Sequence, residues 1–163
     1  CWGSGCIACA IANELPAARV VAADISPSAL EVCRKNIKDN KLTSRIIPMN
    51  ADATTWPPMS IGSFDVIVSN PPYIPSFELI ELDCSVRDYE PMTALDGGED
   101  GLRYYREIVR LAPLILKRNG TILFEVGIHQ SADVCNILAG AGYSTACIKD
   151  DRKIERVVLG KKD

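Results

Sequence analysis

The chain has few residues of the kinds that bind metals. It contains one histidine, His129, and its seven cysteines include a single closely spaced pair, Cys6 and Cys9. A structural zinc site needs four ligands, and these two cysteines fall in an apolar helical run, where they would act as small hydrophobic residues. We therefore expect no metal. The odd number of scattered cysteines is typical of a reducing compartment, so we expect a cytoplasmic protein.

Long apolar runs and an excess of basic residues are missing as well. No segment approaches the roughly 20 apolar residues that a membrane-spanning helix requires, so we expect no membrane partner. The 18 Lys and Arg residues are outnumbered by 21 Asp and Glu residues, which gives a net charge of −3. Because duplex binding depends on clustered basic side chains, this balance disfavours a nucleic acid partner.

The 163 residues suit one domain in which strands and helices alternate. Apolar runs at 19–23, 45–49, 64–68, 121–126, 144–148 and 155–159 are predicted strands. The segments 6–14, 26–40, 105–119 and 130–139 are predicted helices. This alternation predicts an α/β fold with a mostly parallel sheet and helices on both faces. A polar loop at 74–101 is long for a compact domain, which is typical of a functional segment.

The strand at 64–68 leads into the sequence NPPY, formed by Asn70, Pro71, Pro72 and Tyr73. The prolines fix the backbone and carry no N–H, so the segment presents acceptors, namely the Asn70 side-chain oxygen and the Pro71 carbonyl. Such a site suits a planar –NH2 group, on which the Tyr73 ring can stack. The competing interpretation is an ordinary proline turn.

Glycines and carboxylates follow other predicted strands and helix starts. Gly3 and Gly5 precede the first helix and allow close approach of a ligand to the backbone, while Asp24, 19 residues after Gly5, can accept hydrogen bonds from a ribose diol. The alternatives are a tight turn for the glycines and a helix-entry role for Asp24. In parallel sheets ligands bind at the carboxyl ends of the strands, where Gly5, Asp24 and Asn70 are all expected.

Asp52 follows the strand at 45–49 and can accept a hydrogen bond from an adenine amine, and Ala53 beside it can offer its backbone N–H to the ring. An ordinary Asx turn explains Asp52 equally well. Groups suited to ribose, adenine and an –NH2 acceptor together indicate methyl transfer from S-adenosylmethionine.

Five segments make the chain resemble the peptide chain release factor N5-glutamine methyltransferases. They are GSGCIA at 3–8, ADISPSAL at 23–30, FDVIVSNPPYI at 64–74, VRDYEP at 86–91 with ALDGGEDG at 94–101, and ERVVLG at 155–160. NPPY is shared with amino methyltransferases of nucleic acid bases, whereas VRDYEP with ALDGGEDG is more specific. The resemblance implies a Rossmann-like class I methyltransferase fold with an antiparallel C-terminal strand. It also implies methylation of the glutamine in the Gly-Gly-Gln motif of release factors, which would be the protein partner.

The resemblance assigns roles to residues of this chain. It implies cofactor contacts from Cys1, Trp2, Gly3, Ser4, Gly5, Asp24, Asp52, Ala53 and Asn70. Catalysis would rest on Asn70, Pro71 and Tyr73, and residues 70–73 together would hold the glutamine amide. The family pattern also has an acidic strand end before the glycine loop and a helical recognition domain, so we expect residues 1–163 to be an N-terminally truncated methyltransferase domain with weak cofactor affinity.

Two other functions fit the same residues. An amino methyltransferase acting on adenine N6 or guanine N2 of a nucleic acid would use NPPY on a flipped base, and predicts a basic channel or an added recognition domain. A non-catalytic remnant of the fold is the second alternative, favoured by Trp2 at a position where the family has a small residue.

Overall fold

The computed structural model describes residues 3–58, 61–81 and 91–162. The chain divides into two compact units, Cys1–Ala53 and Thr54–Asp163. Cys1, Trp2 and the residues at 86–90 of the VRDYEP motif lie outside the described residues. Within the ranges that the structure describes, no helix is long and apolar enough to cross a bilayer.

The first unit is built from two helices and two parallel strands. Its elements are α1 at Cys6–Glu14, β1 at Val20–Asp24, α2 at Pro27–Asp39 and β2 at Ile46–Asn50. β1 and β2 pair in parallel, so that Asp24 lies opposite Asn50 at their carboxyl ends. Small apolar residues of α1, including Ala8 and Ala12, are fully buried in the shared core. The loops after both strands therefore leave from the same edge.

Helix α2 begins as its sequence predicts. The Ser26 hydroxyl accepts a hydrogen bond from the Ala29 backbone N–H at 3.3 Å, and Pro27 occupies the first helical position. A serine cap satisfies one N–H that has no partner within the helix, and proline costs nothing at a position whose N–H is already unpaired.

The second unit contains a four-stranded sheet and three helices among its described residues. Its elements are β3 at Phe64–Ser69, α3 at Met92–Leu95, α4 at Arg103–Leu111, β4 at Leu116–Glu125, α5 at Ser131–Gly140, β5 at Tyr143–Lys149 and β6 at Glu155–Lys162. The strand order is β3-β4-β6-β5. β3 pairs in parallel with β4, and β6 is antiparallel to both β4 and β5. Three strands therefore share one direction, and the predicted antiparallel C-terminal strand is confirmed.

An aromatic pair lies at the centre of the second unit. Tyr105 of α4 and Phe124 of β4 are fully buried, with ring centroids 5.2 Å apart in an edge-to-face arrangement. The Tyr105 hydroxyl donates to the Glu125 carbonyl at 2.9 Å, and burial raises the pKa of Tyr105 well above its ordinary value. The buried hydroxyl thus has the partner that an apolar core demands, and it ties α4 to the end of β4.

The region between α4 and β4 differs from the sequence prediction of a helix up to Asn119. The helix ends at Leu111, a 3₁₀ turn follows at Ala112–Leu114, and β4 begins at Leu116. Pro113 has no N–H for the α-helical hydrogen-bond pattern, which explains the early end. Asn119, at φ 63°, lies in an irregularity of the β3–β4 pairing rather than at a helix end. The predicted loop at 74–101 also contains structure, a 3₁₀ turn at Glu78–Glu81 and helix α3.

Candidate functional site

The glycine loop before α1 is fixed by backbone conformation and by packing. Gly5 immediately precedes the helix at φ +78°, a left-handed conformation that favours glycine. A Cβ on Gly5 would lie 2.5 Å from the Cys33 Sγ of α2, so a side chain there is excluded. At Gly3, with φ +47°, no atom of the described residues lies within 4 Å of the Cβ position. The loop therefore packs tightly at Gly5, and the described part of the chain leaves space at Gly3.

Asp24 joins this glycine loop to the start of α2. Its side chain is buried, with 8% of the residue exposed, where β1 ends. One carboxylate oxygen accepts from the Gly3 N–H at 3.0 Å and the other from the Ser26 N–H at 2.9 Å. Asp24 therefore has the helix-entry role that was the alternative interpretation. The same hydrogen bonds hold its carboxylate beside Gly3. The sequence-predicted residues Gly3, Gly5 and Asp24 come together in one place.

Two asparagines that the sequence interpretation missed tie down the surrounding loops. The Asn36 amide of α2 donates to the Ser4 carbonyl at 2.9 Å. The Asn50 amide donates to the carbonyls of Asp24 and Ile25 at 3.2 and 2.9 Å. Asn50 directly follows the apolar part of a strand, and this position was the available signal. Both side-chain amides donate to backbone carbonyls, so they fix the conformation of the loops around Asp24.

Asp52 and Ala53 follow β2 within the same unit. Asp52 is half-buried and Ala53 is exposed. Because Asp24 and Asn50 are paired in the parallel register, the loop that carries Asp52 leaves from the same edge as Asp24. The predicted contact of Asp52 with adenine stays a prediction.

In the second unit, the NPPY segment follows β3 directly. Asn70 and Tyr73 are half-buried, and Pro71 and Pro72 are buried. Beyond it, the Ile74 N–H donates to the Leu95 carbonyl at 3.1 Å, and the Ile74 carbonyl accepts from the Gly97 N–H at 2.8 Å. These bonds form an isolated parallel bridge between Ile74 and Asp96. The backbone directly after NPPY is therefore held in an extended conformation against the loop at 94–101.

We call residues 94–101, the ALDGGEDG motif, the clasp loop. Its Asp96 accepts from the Ser76 hydroxyl at 2.7 Å and from the Gly98 N–H at 2.9 Å through the same oxygen. The Ser76 N–H in turn donates to the Gly98 carbonyl at 2.9 Å. The hydrogen bonds from Ser76 and Gly98 hold the pKa of the Asp96 carboxyl below its usual range. The ionised form of Asp96 thus stabilises the closed clasp loop.

Three glycines lie so close to Tyr73 that none can carry a side chain without a shift. A Cβ on Gly97 would be 2.8 Å from the Tyr73 Cα and carbonyl carbon, and one on Gly127 would be 3.0 Å from its ring. A Cβ on Gly101, at φ +73°, would overlap the Tyr73 carbonyl oxygen. Gly97 and Gly101 of the clasp loop, together with Gly127, therefore allow close packing around Tyr73.

Gln130 also contacts Tyr73, and the sequence interpretation missed this contact. The Gln130 amide nitrogen donates to the Tyr73 carbonyl at 2.8 Å, and its amide oxygen accepts from the Gly127 N–H at 3.1 Å. The sequence placed Gln130 only at the start of a helix. No local pattern in the sequence pointed to this contact, because the two residues are 57 positions apart.

The predicted site residues thus form two groups, one in each unit. The group in the first unit contains Gly3, Ser4, Gly5, Asp24, Asp52 and Ala53, and the group in the second contains Asn70, Pro71, Pro72 and Tyr73. Cys1 and Trp2 lie outside the described residues, so their predicted roles stay predictions. Among the residues for which coordinates are described, no three His, Cys, Asp or Glu side chains are grouped to hold a metal ion.

Comparisons with known proteins agree with these features. The Methyltransferase small domain family matches residues 1–79. The chain is 40% identical over 160 residues to the release factor glutamine methyltransferase of Geobacter sulfurreducens, with 98% of this chain and 55% of that protein covered. It is 41% identical over 160 residues to the Clostridium acetobutylicum protein of the same name, with 98% and 56% covered. It spans about half the length of these curated relatives.

A solved structure shows the same fold. A methyltransferase from Pyrococcus furiosus superposes with a TM-score of 0.69 at 19% identity, over 99% of this chain and 71% of that one. The predicted resemblance and the predicted fold class are both confirmed.

Proposed function

We propose that this chain, a class I methyltransferase domain related to the release factor glutamine methyltransferases, methylates a glutamine side chain of a release factor. The methyl group would pass from S-adenosylmethionine to N5 of the glutamine in the Gly-Gly-Gln motif. The relationship supports this substrate, since the curated relatives match 98% of the chain at about 40% identity. Release factors act in translation, which agrees with the predicted cytoplasmic location.

The glycine loop and Asp24 fit the cofactor. When bound, S-adenosylmethionine supplies an electrophilic methyl group on a sulfonium centre. The space that the described residues leave at the Cβ position of Gly3 lets a ligand approach the backbone, and Asp24 beside it would accept from the ribose hydroxyls. Asp52 and Ala53 would meet the adenine. We expect Cys1, Trp2 and Ser4 to complete the contacts.

The NPPY segment fits the acceptor. An amide nitrogen is a poor nucleophile because its lone pair is delocalised into the carbonyl. The Asn70 side-chain oxygen and the Pro71 carbonyl would accept from the two N–H bonds of the glutamine, which turns the nitrogen lone pair toward the methyl group. Pro72 would keep this backbone rigid, and the Tyr73 ring would stack on the amide plane. The rate would depend mainly on positioning, and the nitrogen loses one proton in the transfer.

The observation that carries the proposal is the contact between the clasp loop and the NPPY backbone. NPPY alone suits any –NH2 group, but here residues 74–76 are hydrogen-bonded along their length to the loop that resembles the glutamine enzymes. One half of the motif pair that is more specific to the glutamine enzymes therefore lies against the backbone that directly follows NPPY. This favours a glutamine amide over a base amine.

The decisive experiment offers both kinds of acceptor to the purified protein. It would be incubated with methyl-labelled S-adenosylmethionine and either a release factor or nucleic acid, and the label located by mass spectrometry. We expect label on the glutamine of the Gly-Gly-Gln motif. Label on a nucleic acid base and none on glutamine would replace the proposal with the base methyltransferase, and no label on either would favour a non-catalytic fold.

A substitution at Asn70 tests the assignment of the acceptor group. Asn70→Ala should lower kcat by about 100-fold or more, because it removes an orienting acceptor, while the Kd for S-adenosylmethionine changes far less. Asn136→Ala is the matched control, since Asn136 is exposed on α5. Equal losses of turnover and cofactor affinity in Asn70→Ala would contradict the role assigned to this residue.

A further inference from the structure

We propose that Gln130 is a positioning residue for the acceptor segment, acting through the Tyr73 carbonyl. This inference rests on the proposed function, because it assigns Gln130 to the same methyl-transfer site. Gln130 lies 57 residues after Tyr73 in the chain. It belongs to none of the five segments that carry the resemblance. Its effect on the reaction would come from the orientation it imposes on the peptide group of Tyr73.

Both ends of the Gln130 amide are used. The nitrogen donates to the Tyr73 carbonyl at 2.8 Å, and the oxygen accepts from the Gly127 N–H at 3.1 Å. Since the amide group is planar, satisfying both bonds fixes the side-chain plane. The Tyr73 carbonyl is thereby held at a set position relative to the Gly127 backbone.

The backbone that carries Gln130 is itself anchored. The Gln130 N–H donates to the Gly127 carbonyl at 3.2 Å, and the Gln130 carbonyl accepts from the Val134 N–H at 3.0 Å as α5 begins. Directly before Gly127, the Val126 N–H donates to the Arg156 carbonyl of β6 at 3.0 Å. The side chain therefore extends from a turn fixed to the sheet and to a helix, so it can transmit their rigidity to Tyr73.

The chemistry of the two partners selects glutamine. A carbonyl needs a donor and an N–H needs an acceptor, and a side-chain amide supplies both. Ionised glutamate offers only acceptors, and lysine or arginine only donors. Asparagine has the right groups but is one methylene shorter. Glutamate becomes an adequate substitute only when it is protonated, because it then carries one O–H donor.

A small rotation of the Tyr73 peptide would matter for the transfer. The Tyr73 ring and the Pro71 carbonyl are both within two residues of this peptide group, and the close packing of Gly97 and Gly127 leaves it little alternative space. Misplacement of reacting groups by about 1 Å costs about 100-fold in rate. The effect should appear in kcat rather than in cofactor binding, since Gln130 contacts the acceptor segment.

The test compares Gln130→Glu and Gln130→Ala in the purified protein, with Asn136→Asp as a control that adds a negative charge on α5. We expect both Gln130 variants to lower kcat by about 10- to 100-fold, with the KM for S-adenosylmethionine within about twofold of wild type. As the pH falls from about 8 toward the ordinary glutamate pKa of about 4.3, the rate of Gln130→Glu relative to wild type should rise, because the glutamate gains a proton. Gln130→Ala should show no such rise.

Hydrogen exchange supplies a readout that does not depend on activity. The amides of Ile74 and Gly97 should exchange faster in both Gln130 variants, and at the wild-type rate in Asn136→Asp. If the wild-type protein methylates no release factor, the proposed function fails. The exchange rates of the Ile74 and Gly97 amides then decide by themselves whether Gln130 holds the NPPY segment in place. Wild-type exchange at both amides, or a wild-type kcat and pH profile in Gln130→Glu, would overturn the inference.

Discussion

Gly97 lies against the backbone of Tyr73 so closely that a Cβ on Gly97 would be 2.8 Å from the Tyr73 Cα and carbonyl carbon. Gly97 does not have a left-handed conformation, so its need for glycine comes from packing alone. Both neighbouring atoms belong to backbone, which cannot move aside as a flexible side chain can. The clasp loop can therefore pack this closely on the NPPY segment only while residue 97 has no side chain.

Gly97→Ala should destabilise the protein and lower its activity. Overpacking costs typically about 1–3 kcal/mol, and here the strain falls on the acceptor segment, so kcat should drop more than cofactor affinity. Gly140→Ala is the control, because nothing lies within 4 Å of its Cβ position at the end of α5. Thermal unfolding and steady-state kinetics check both variants. Equal behaviour of the two alanine variants would contradict the packing argument.

Gly5→Ala should weaken cofactor binding and reduce stability through two separate effects. The added methyl group meets the Cys33 Sγ, and φ +78° is unfavourable for alanine. Replacing Cys33 by alanine in the same protein removes the sulfur but leaves the backbone strain. We expect the double variant to recover only part of the loss, measured by calorimetric titration with S-adenosylmethionine and by Tm. Full recovery would show that the left-handed conformation of Gly5 is unimportant.

Asp96→Asn should remove part of the pH dependence of stability. The pKa of Asp96 is lowered in the folded state by its bonds to Ser76 and Gly98, so its stabilising effect is complete above the ordinary value of about 3.9. That effect is lost as pH falls through the lower folded pKa. Wild type should therefore have the higher Tm at pH 7, and the two Tm values should converge below about pH 4. A difference that stays constant or widens in acid would exclude this role.

Cys135 and Cys147 should form an intramolecular disulfide under a mild thiol oxidant. Their sulfur atoms are 3.4 Å apart, on α5 and β5, and must approach to about 2.05 Å. Diamide would take up the two electrons and two protons that the thiols lose. Burial and the hydrogen bond with Cys135 raise the pKa of Cys147 to about 11, so oxidation should accelerate between about pH 7 and pH 9. Mass spectrometry of peptides would locate the bond, and a different pairing in the wild-type protein would contradict this expectation.

Local patterns predicted the elements that carry the site. Helix α1 has the predicted bounds Cys6–Glu14, and β3 ends one residue later than predicted, directly before Asn70. These elements were predictable because their signals, a glycine pair and an apolar run before prolines, lie within a few residues. The start of β4 could not be predicted in this way, because Asn119 and Gly120 are typical of a helix end and equally suit an irregular strand.

The contacts around Tyr73 could not be read from such patterns. Gln130 reaches Tyr73 across 57 residues of sequence, and the clasp loop reaches Ile74 across about 20. Neither the sequence around Gln130 nor that of the clasp loop contains a pattern that predicts contact with the NPPY segment. The resemblance identified VRDYEP together with ALDGGEDG as more specific to the glutamine enzymes. The hydrogen bonds between Ile74, Leu95 and Gly97 explain what the second of these motifs does.

The bridge between Ile74 and Asp96 has a consequence for protein engineering. Exchanging NPPY segments between methyltransferases is a natural way to alter acceptor preference, yet the backbone of this segment is completed by residues from two other parts of the chain. A transplanted segment would lose its partners unless residues 94–101 and 127–130 moved with it. We therefore expect an exchange of NPPY to keep its backbone geometry only when all three discontinuous segments are exchanged together.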